Sequence, residues 1–185
     1  MLVEGASIIR AATVKRNIRY NVVRVGRGRG VIEDEVMRAV LRLEKGMEKD
    51  QKGVIYCRSK KKCEQLAEKL GCDFYHAGIE DEAVRQEIFT RWVNRMGSNR
   101  WIVATTALGT GVDVGGIVAI VHMKQPYGLV NFMQQTGRGD RRKEKVVESV
   151  IVMGQKRAWV NEHDSNMAQL NHQAMEWFVD SVDCR

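Results

Sequence analysis

The sequence has no run of about 18 apolar residues that could span a bilayer. Its start does not read as a secretory leader either, because Glu4 and Arg10 interrupt any apolar stretch near Met1. The four cysteines, Cys57, Cys63, Cys72 and Cys184, form no C-x-x-C pair, so neither the common zinc spacings nor a dithiol redox motif is present. Three of them fall inside apolar patterns, where cysteine acts as a small buried hydrophobe. They predict a reducing compartment, the cytosol or the nucleus. Both G-x-x-x-x-G-K-(S/T) and G-x-G-x-x-G are missing, and Gly26-Arg27-Gly28-Arg29-Gly30 reads as a flexible basic turn. Aromatic residues make up only 6%, but 44% hydrophobic content over 185 residues excludes a chain disordered throughout and suffices for one domain with a core. Acidic residues number 23 against 30 basic, and the resulting charge of +7 is compatible with a polyanionic partner.

What is present is organised around residues 102–142. Ile102, Val103 and Ala104 form a short apolar run that Gly109 and Gly111 end, and residues 118–121 make a second run rich in β-branched side chains. Two such strands separated by turn residues suit an open α/β sheet, whose ligands sit at the carboxyl ends of the strands. The loops after them, with Thr105, Gly109, Asp113, Gln134 and Arg138, are where chemistry is expected. Upstream, the alternation of Ile18, Tyr20 and Val22 predicts an edge strand. Ile32, Val36, Val40, Leu43 and Met47 predict a packing helix with Glu33, Asp34 and Glu35 in its first turn. A buried strand over 53–57 precedes a helix capped by Ser59 and closed by Gly71, with Cys63, Leu66, Ala67 and Leu70 on one face. Val84, Ile88 and Trp92 share a face of the next helix, and residues 146–153 form a last strand. The segment 155–183 is helical in tendency, and its stripe of Trp159, Met167, Leu170, Met175, Trp177 and Phe178 is expected to be core.

Two motifs make a resemblance specific. Ala104-Thr105-Thr106-Ala107-Leu108-Gly109-Thr110-Gly111-Val112-Asp113 and Gln134-Gln135-Thr136-Gly137-Arg138-Gly139-Asp140-Arg141 resemble motifs V and VI of superfamily 2 helicases, closest to the RecQ branch. Val54-Ile55-Tyr56-Cys57-Arg58-Ser59 resembles motif IV of that branch, and Tyr75-His76-Ala77-Gly78 its next turn. Residues 7–25 are similar to its connector between motor domains, and Gln134-Gln135-Thr136 to the RecQ-like helicases of fungal subtelomeric elements. The resemblance covers residues 7–185. It implies a RecA-like open, mostly parallel sheet flanked by helices: an interdomain connector and edge strand over 1–30, a helicase C-terminal domain over 31–154, and a helical extension over 155–185 leading toward a zinc subdomain.

The same resemblance implies a DNA partner and a first RecA-like domain, with ATP and Mg²⁺ bound only when that domain completes the cleft. Arg138 and Arg141 take the role of stabilising charge on the transferring phosphoryl group, with Arg141 as the finger, and Gln134 couples nucleotide state to domain closure. Gly111, Asp113 and Gly137 are implied on the nucleotide side. Ser59, His76, Thr105 and Gly109 are implied near the DNA backbone, His76 as a phosphate or structural contact. Cys184 resembles the first ligand of the zinc subdomain; its three companions are missing from the sequence, and no metal is expected.

Without a phosphate-loop lysine or a D-E-x-(H/D) acidic pair, the isolated chain is expected not to hydrolyse ATP. Asp140 stands where the family pattern has glycine. A carboxylate about 6 Å from a phosphate would cost on the order of 3 kcal/mol at an effective dielectric of about 20, so Asp140→Gly is expected to raise hydrolysis in a completed motor. A pairing of Asp140 with Arg138 or Arg142 is the other possibility. A non-enzymatic nucleic-acid-binding module is the competing reading. A Rossmann-type cofactor enzyme rests on the sheet alone.

Overall fold

The computed structural model describes residues 15–94, 100–109, 114–140, 145–155 and 164–181. Arg141, Gly111, Asp113, Trp159 and Cys184 lie outside them. The described chain alternates strand and helix: β1 (Ile18–Val25), α1 (Val31–Glu44), β2 (Lys52–Tyr56), α2 (Lys60–Leu70), β3 (Asp73–Tyr75), α3 (Glu82–Asn94), β4 (Trp101–Ala104), a 3₁₀ turn (Thr106–Gly109), β5 (Ile117–Met123), α4 (Leu129–Thr136), β6 (Val147–Gly154) and α5 (Asn166–Asp180). The strands form one sheet in the order β1-β6-β5-β2-β4-β3, and every pairing is parallel.

Both faces of this sheet are covered, which is why its strands read as continuous apolar runs. Ile120, Val54 and Ile102 point into a core shared with Trp92 of α3, Phe132 of α4 and Met175 of α5. Val121, Ile55 and Val103 alternate with them and face Val36 of α1 and Leu66 of α2 on the other side. Gly53 is required by packing: a Cβ there would lie 2.3 Å from the buried Trp101 ring. The α2 caps follow their sequence signals. Ser59 Oγ accepts the Lys62 N–H at 3.3 Å, and Gly71 closes the helix with φ of 63°.

Three expectations about the helices need correction. Met47 lies beyond the end of α1, although with Ile32 and Leu43 it still packs, partly buried, against the core around Val36, Ala39 and Val40. In α5 the buried face is His172, Met175 and Val179, whereas Met167 and Trp177 are 75% and 74% exposed and Leu170 is exposed as well. Val84 of α3 is exposed too, leaving Trp92 as that helix's buried residue. A helical stripe fixes which residues share a face, but the packing of the neighbouring elements decides which face is covered.

Candidate nucleic-acid interface and arginine turn

The order of the strands gathers three of the expected DNA-side residues. Ser59, His76 and Thr105 follow β2, β3 and β4, which are neighbours, so all three stand at one carboxyl edge. The strand ends are tied together by the Thr105 N–H donating to the Tyr75 carbonyl at 3.1 Å and the Cys57 N–H to the Ala104 carbonyl at 2.8 Å. Ser59 Oγ is used as acceptor in the α2 cap, which leaves its O–H free to donate at a helix N-terminus, where an anion is favoured. Lys60, Lys61 and Lys62 open that helix. The Lys60 ammonium lies close to Gly78, where an added Cβ would be 2.9 Å from Nζ. The Lys60 side chain therefore lies beside the loop after β3, a placement that sequence reasoning missed although the lysine run was visible.

His76 is a structural residue of this edge. It is 3% exposed; its Nδ1 accepts the Gly78 N–H at 3.1 Å and its Nε2 lies 2.9 Å from Glu64 Oε1. The acceptor role of Nδ1 places a proton on Nε2, so the imidazole is committed to the turn on one side and to Glu64 of α2 on the other.

From the carboxyl edge, α4 carries the second motif down the face of the sheet. Of its adjacent glutamines, Gln134 points to solvent and Gln135 is buried. Gln135 Oε1 accepts from His122 Nε2 at 3.0 Å, and the His122 ring stacks on Tyr56 with centroids 5.3 Å apart and contacts Phe132 at 5.1 Å. Burial lowers the His122 pKa to about 3 and pushes the Tyr56 phenol up to about 12. The guanidinium of Arg138, half-buried nearby, acts on Tyr56 in the opposite direction. Tyr56 and His122 line a small cavity of about 40 Å³ with Arg58, Thr105, Thr106, Lys124 and other residues of the carboxyl edge. Lys124 follows β5 in a left-handed conformation with φ of 77°, an unusual state for a lysine.

The buried neutral histidine has a consequence for stability. In the unfolded chain the imidazole takes up a proton near pH ~6.5; in the fold it does so only near pH 3. Between these values the unfolded state binds more protons, so stability falls as pH falls, by up to about 1.4 kcal/mol per pH unit from this group. Urea midpoints measured from pH 7 to pH 4 are expected to show that slope and to lose it in His122→Gln. An unchanged slope in the variant would assign acid sensitivity to other groups.

The turn after α4 contains Gly137, Arg138, Gly139 and Asp140. The Asp140 N–H donates to the Ile117 carbonyl at 2.9 Å, which brings the turn to the start of β5. Gly139 passes so close to β6 that a Cβ would lie 2.5 Å from Val147 Cγ1. Asp140 is buried, and its carboxylate accepts the Lys145 N–H. That geometry adds to the expectation for Asp140→Gly: the carboxylate holds the Lys145 backbone, so glycine removes a tether along with the charge. Arg141 and Arg142 fall in that interval and lie outside the described residues.

Each cysteine among the described residues, Cys57, Cys63 and Cys72, has its thiol pushed up to about 12 by burial, which keeps it protonated. No group of three or more His, Cys, Asp or Glu residues that could hold a metal occurs among the described residues. None of the described helices is long and apolar enough to cross a membrane.

Residues 35–143 match the family model of the helicase conserved C-terminal domain. Among curated proteins, the ATP-dependent DNA helicase hus2/rqh1 of Schizosaccharomyces pombe is 42% identical over 97 residues, 49% of this chain and 7% of that protein. A putative ATP-dependent DNA helicase Q1 of Caenorhabditis briggsae is 31% identical over 141 residues, 74% of this chain and 22% of that protein. The chain thus spans between 7% and 22% of these relatives' length. In fold it resembles a DEAD box protein from Methanococcus jannaschii, with a TM-score of 0.60 at 20% identity, covering 88% of this chain and 40% of that one. The Mycobacterium smegmatis helicase Lhr gives a TM-score of 0.62 at 15% identity, covering 88% and 22%. The chain belongs to the helicase conserved C-terminal domain family, and its relatives there are RecQ-type DNA helicases.

Proposed function

We propose that this chain is the second motor domain of an ATP-dependent RecQ-like helicase that moves 3′ to 5′ on DNA. The observation that carries this reading is the distribution of its polar residues. Ser59, Lys60 and Thr105 stand on one carboxyl edge, where hydroxyls and an ammonium suit a nucleic-acid backbone. Arg138 stands on the turn after α4, braced against the start of β5, and its guanidinium acts on Tyr56, which lines the cavity of that edge. Such an arrangement lets one domain grip DNA while it offers a permanently charged planar cation to a nucleotide held by another.

Arg138 is this chain's share of an ATP site, together with Arg141 and the exposed Gln134 as the coupling residue. Bound ATP and Mg²⁺ would supply the phosphoryl transfer, and a first RecA-like domain would supply the lysine and acidic pair. The chain's own residues neutralise charge and position the backbone. No zinc is part of this reading.

Purified chain is expected to bind single-stranded DNA weakly and to show no DNA-stimulated ATP hydrolysis. The logarithm of affinity should fall with the logarithm of salt concentration at a slope of about −2, as for roughly three neutralised phosphates. Hydrolysis that disappears in Arg138→Ala would mean that the chain completes a nucleotide site by itself. DNA binding indifferent to a supplied first domain and to ATP would favour the non-enzymatic binding module.

A further inference from the structure

The segment leading into β1 is bonded directly to the arginine turn. Lys15 Nζ donates to the Gly137 carbonyl at 2.6 Å and to the Gly139 carbonyl at 3.1 Å. Two residues on, Asn17 Nδ2 donates to the carbonyls of Asp140 at 3.2 Å and Lys145 at 3.0 Å, while the Asn17 carbonyl accepts the Val147 N–H at 2.8 Å. Directing both amide hydrogens at these carbonyls leaves Asn17 Oδ1 buried without a partner, a cost that local sequence preference does not explain. Four carbonyls bracketing Arg138 and the interval 141–144 are thereby held by two side chains lying more than 120 residues away in sequence.

We infer that Lys15 and Asn17 are positioning residues: they latch the segment preceding β1 to the arginine turn, so that the two move as one body. Gly137 and Gly139 carbonyls face the same ammonium, which fixes the backbone on either side of Arg138. Asn17 joins the end of that turn to the strand entry at β6, where Val147 is fully buried. A displacement of the chain before β1 would be passed to the turn that carries Arg138 through these four hydrogen bonds, alongside the pairing of β1 with β6. This assignment rests on the proposed role of Arg138 for its functional meaning, but the latch itself is a property of this chain alone.

Amide hydrogen exchange of the full chain tests it without nucleotide or DNA. The amides of Gly137, Gly139 and Asp140 are bonded to the carbonyls of Met133, Thr136 and Ile117, so their exchange reports on the turn. Lys15→Met is expected to speed exchange at these three about tenfold while the amides of Ile120 and Val121 in mid-sheet stay unchanged. Lys15→Arg, which keeps a donor cation, should restore slow exchange, and Asn17→Ala should speed Asp140 and Val147 together. No change in Lys15→Met, or an equal rise in mid-sheet amides, would overturn the latch by showing an idle contact or a contribution to global stability alone. Loss of the proposed Arg138 chemistry would leave these exchange results standing, so the two readings fail separately.

Discussion

Phe132→Ala is expected to destabilise the domain by about 3–5 kcal/mol, the range for emptying a buried aromatic site. Phe132 is fully buried, and its ring lies 5.5 Å from Tyr20, 5.1 Å from His122 and 5.0 Å from Phe178, centroid to centroid. These neighbours come from β1, β5 and α5, so the cavity would open where three elements meet α4. At roughly 2–4 °C per kcal/mol for a domain of this size, the midpoint of thermal unfolding should fall by about 6–20 °C. Phe132→Leu should cost less, because it keeps much of the volume. A loss below about 1 kcal/mol for the alanine variant would mean that Tyr20 and Phe178 collapse into the space. The same variant should also weaken the His122–Gln135 hydrogen bond, since Phe132 holds α4 against β5 on one side of it.

Much of this architecture was written locally. Ser59 and Gly71 mark the ends of α2 because capping depends on residues within one turn, and the structure places them as the sequence signals require. The parallel sheet follows from strands apolar on both faces, and the two motifs identify the family because their residues lie close together in sequence. What the sequence hid depends on distant partners. Gln134 and Gln135 are indistinguishable as neighbours on a short helix. Only the position of His122 on β5 decides that Gln135 is the buried one. The carboxylate of Asp140, expected either near a phosphate or paired with Arg138 or Arg142, also accepts the Lys145 N–H, a backbone contact that no side-chain pattern announces. Lys15 and Asn17 read as ordinary connector residues, because nothing near them announces carbonyls 122–128 positions away. Trp177 shows the converse error: its helical spacing suggested core, yet no described element covers that face of α5.

In a motor completed with a first RecA-like domain, Arg138→Ala is expected to lower kcat for DNA-stimulated ATP hydrolysis by about 10²–10³, the usual loss for one preorganised donor at a developing charge. ATP KM should change much less, because an arginine whose main interaction develops in the transition state contributes little to ground-state binding. Arg138→Lys should recover only part of the rate: an ammonium keeps the charge but lacks the planar fork. Fold stability should be almost untouched in both variants, since Arg138 is half-exposed and the backbone of its turn is held through the carbonyls of Gly137, Gly139 and Asp140. That separation of backbone anchoring from side-chain charge makes the test informative, because a catalytic loss cannot then be assigned to a collapsed turn. Wild-type rates in both variants would make Arg138 a cation that shapes the environment of Tyr56 and leave the phosphoryl role to Arg141. A rise in KM matching the fall in kcat/KM, with kcat unchanged, would instead make Arg138 a ground-state contact to the nucleotide.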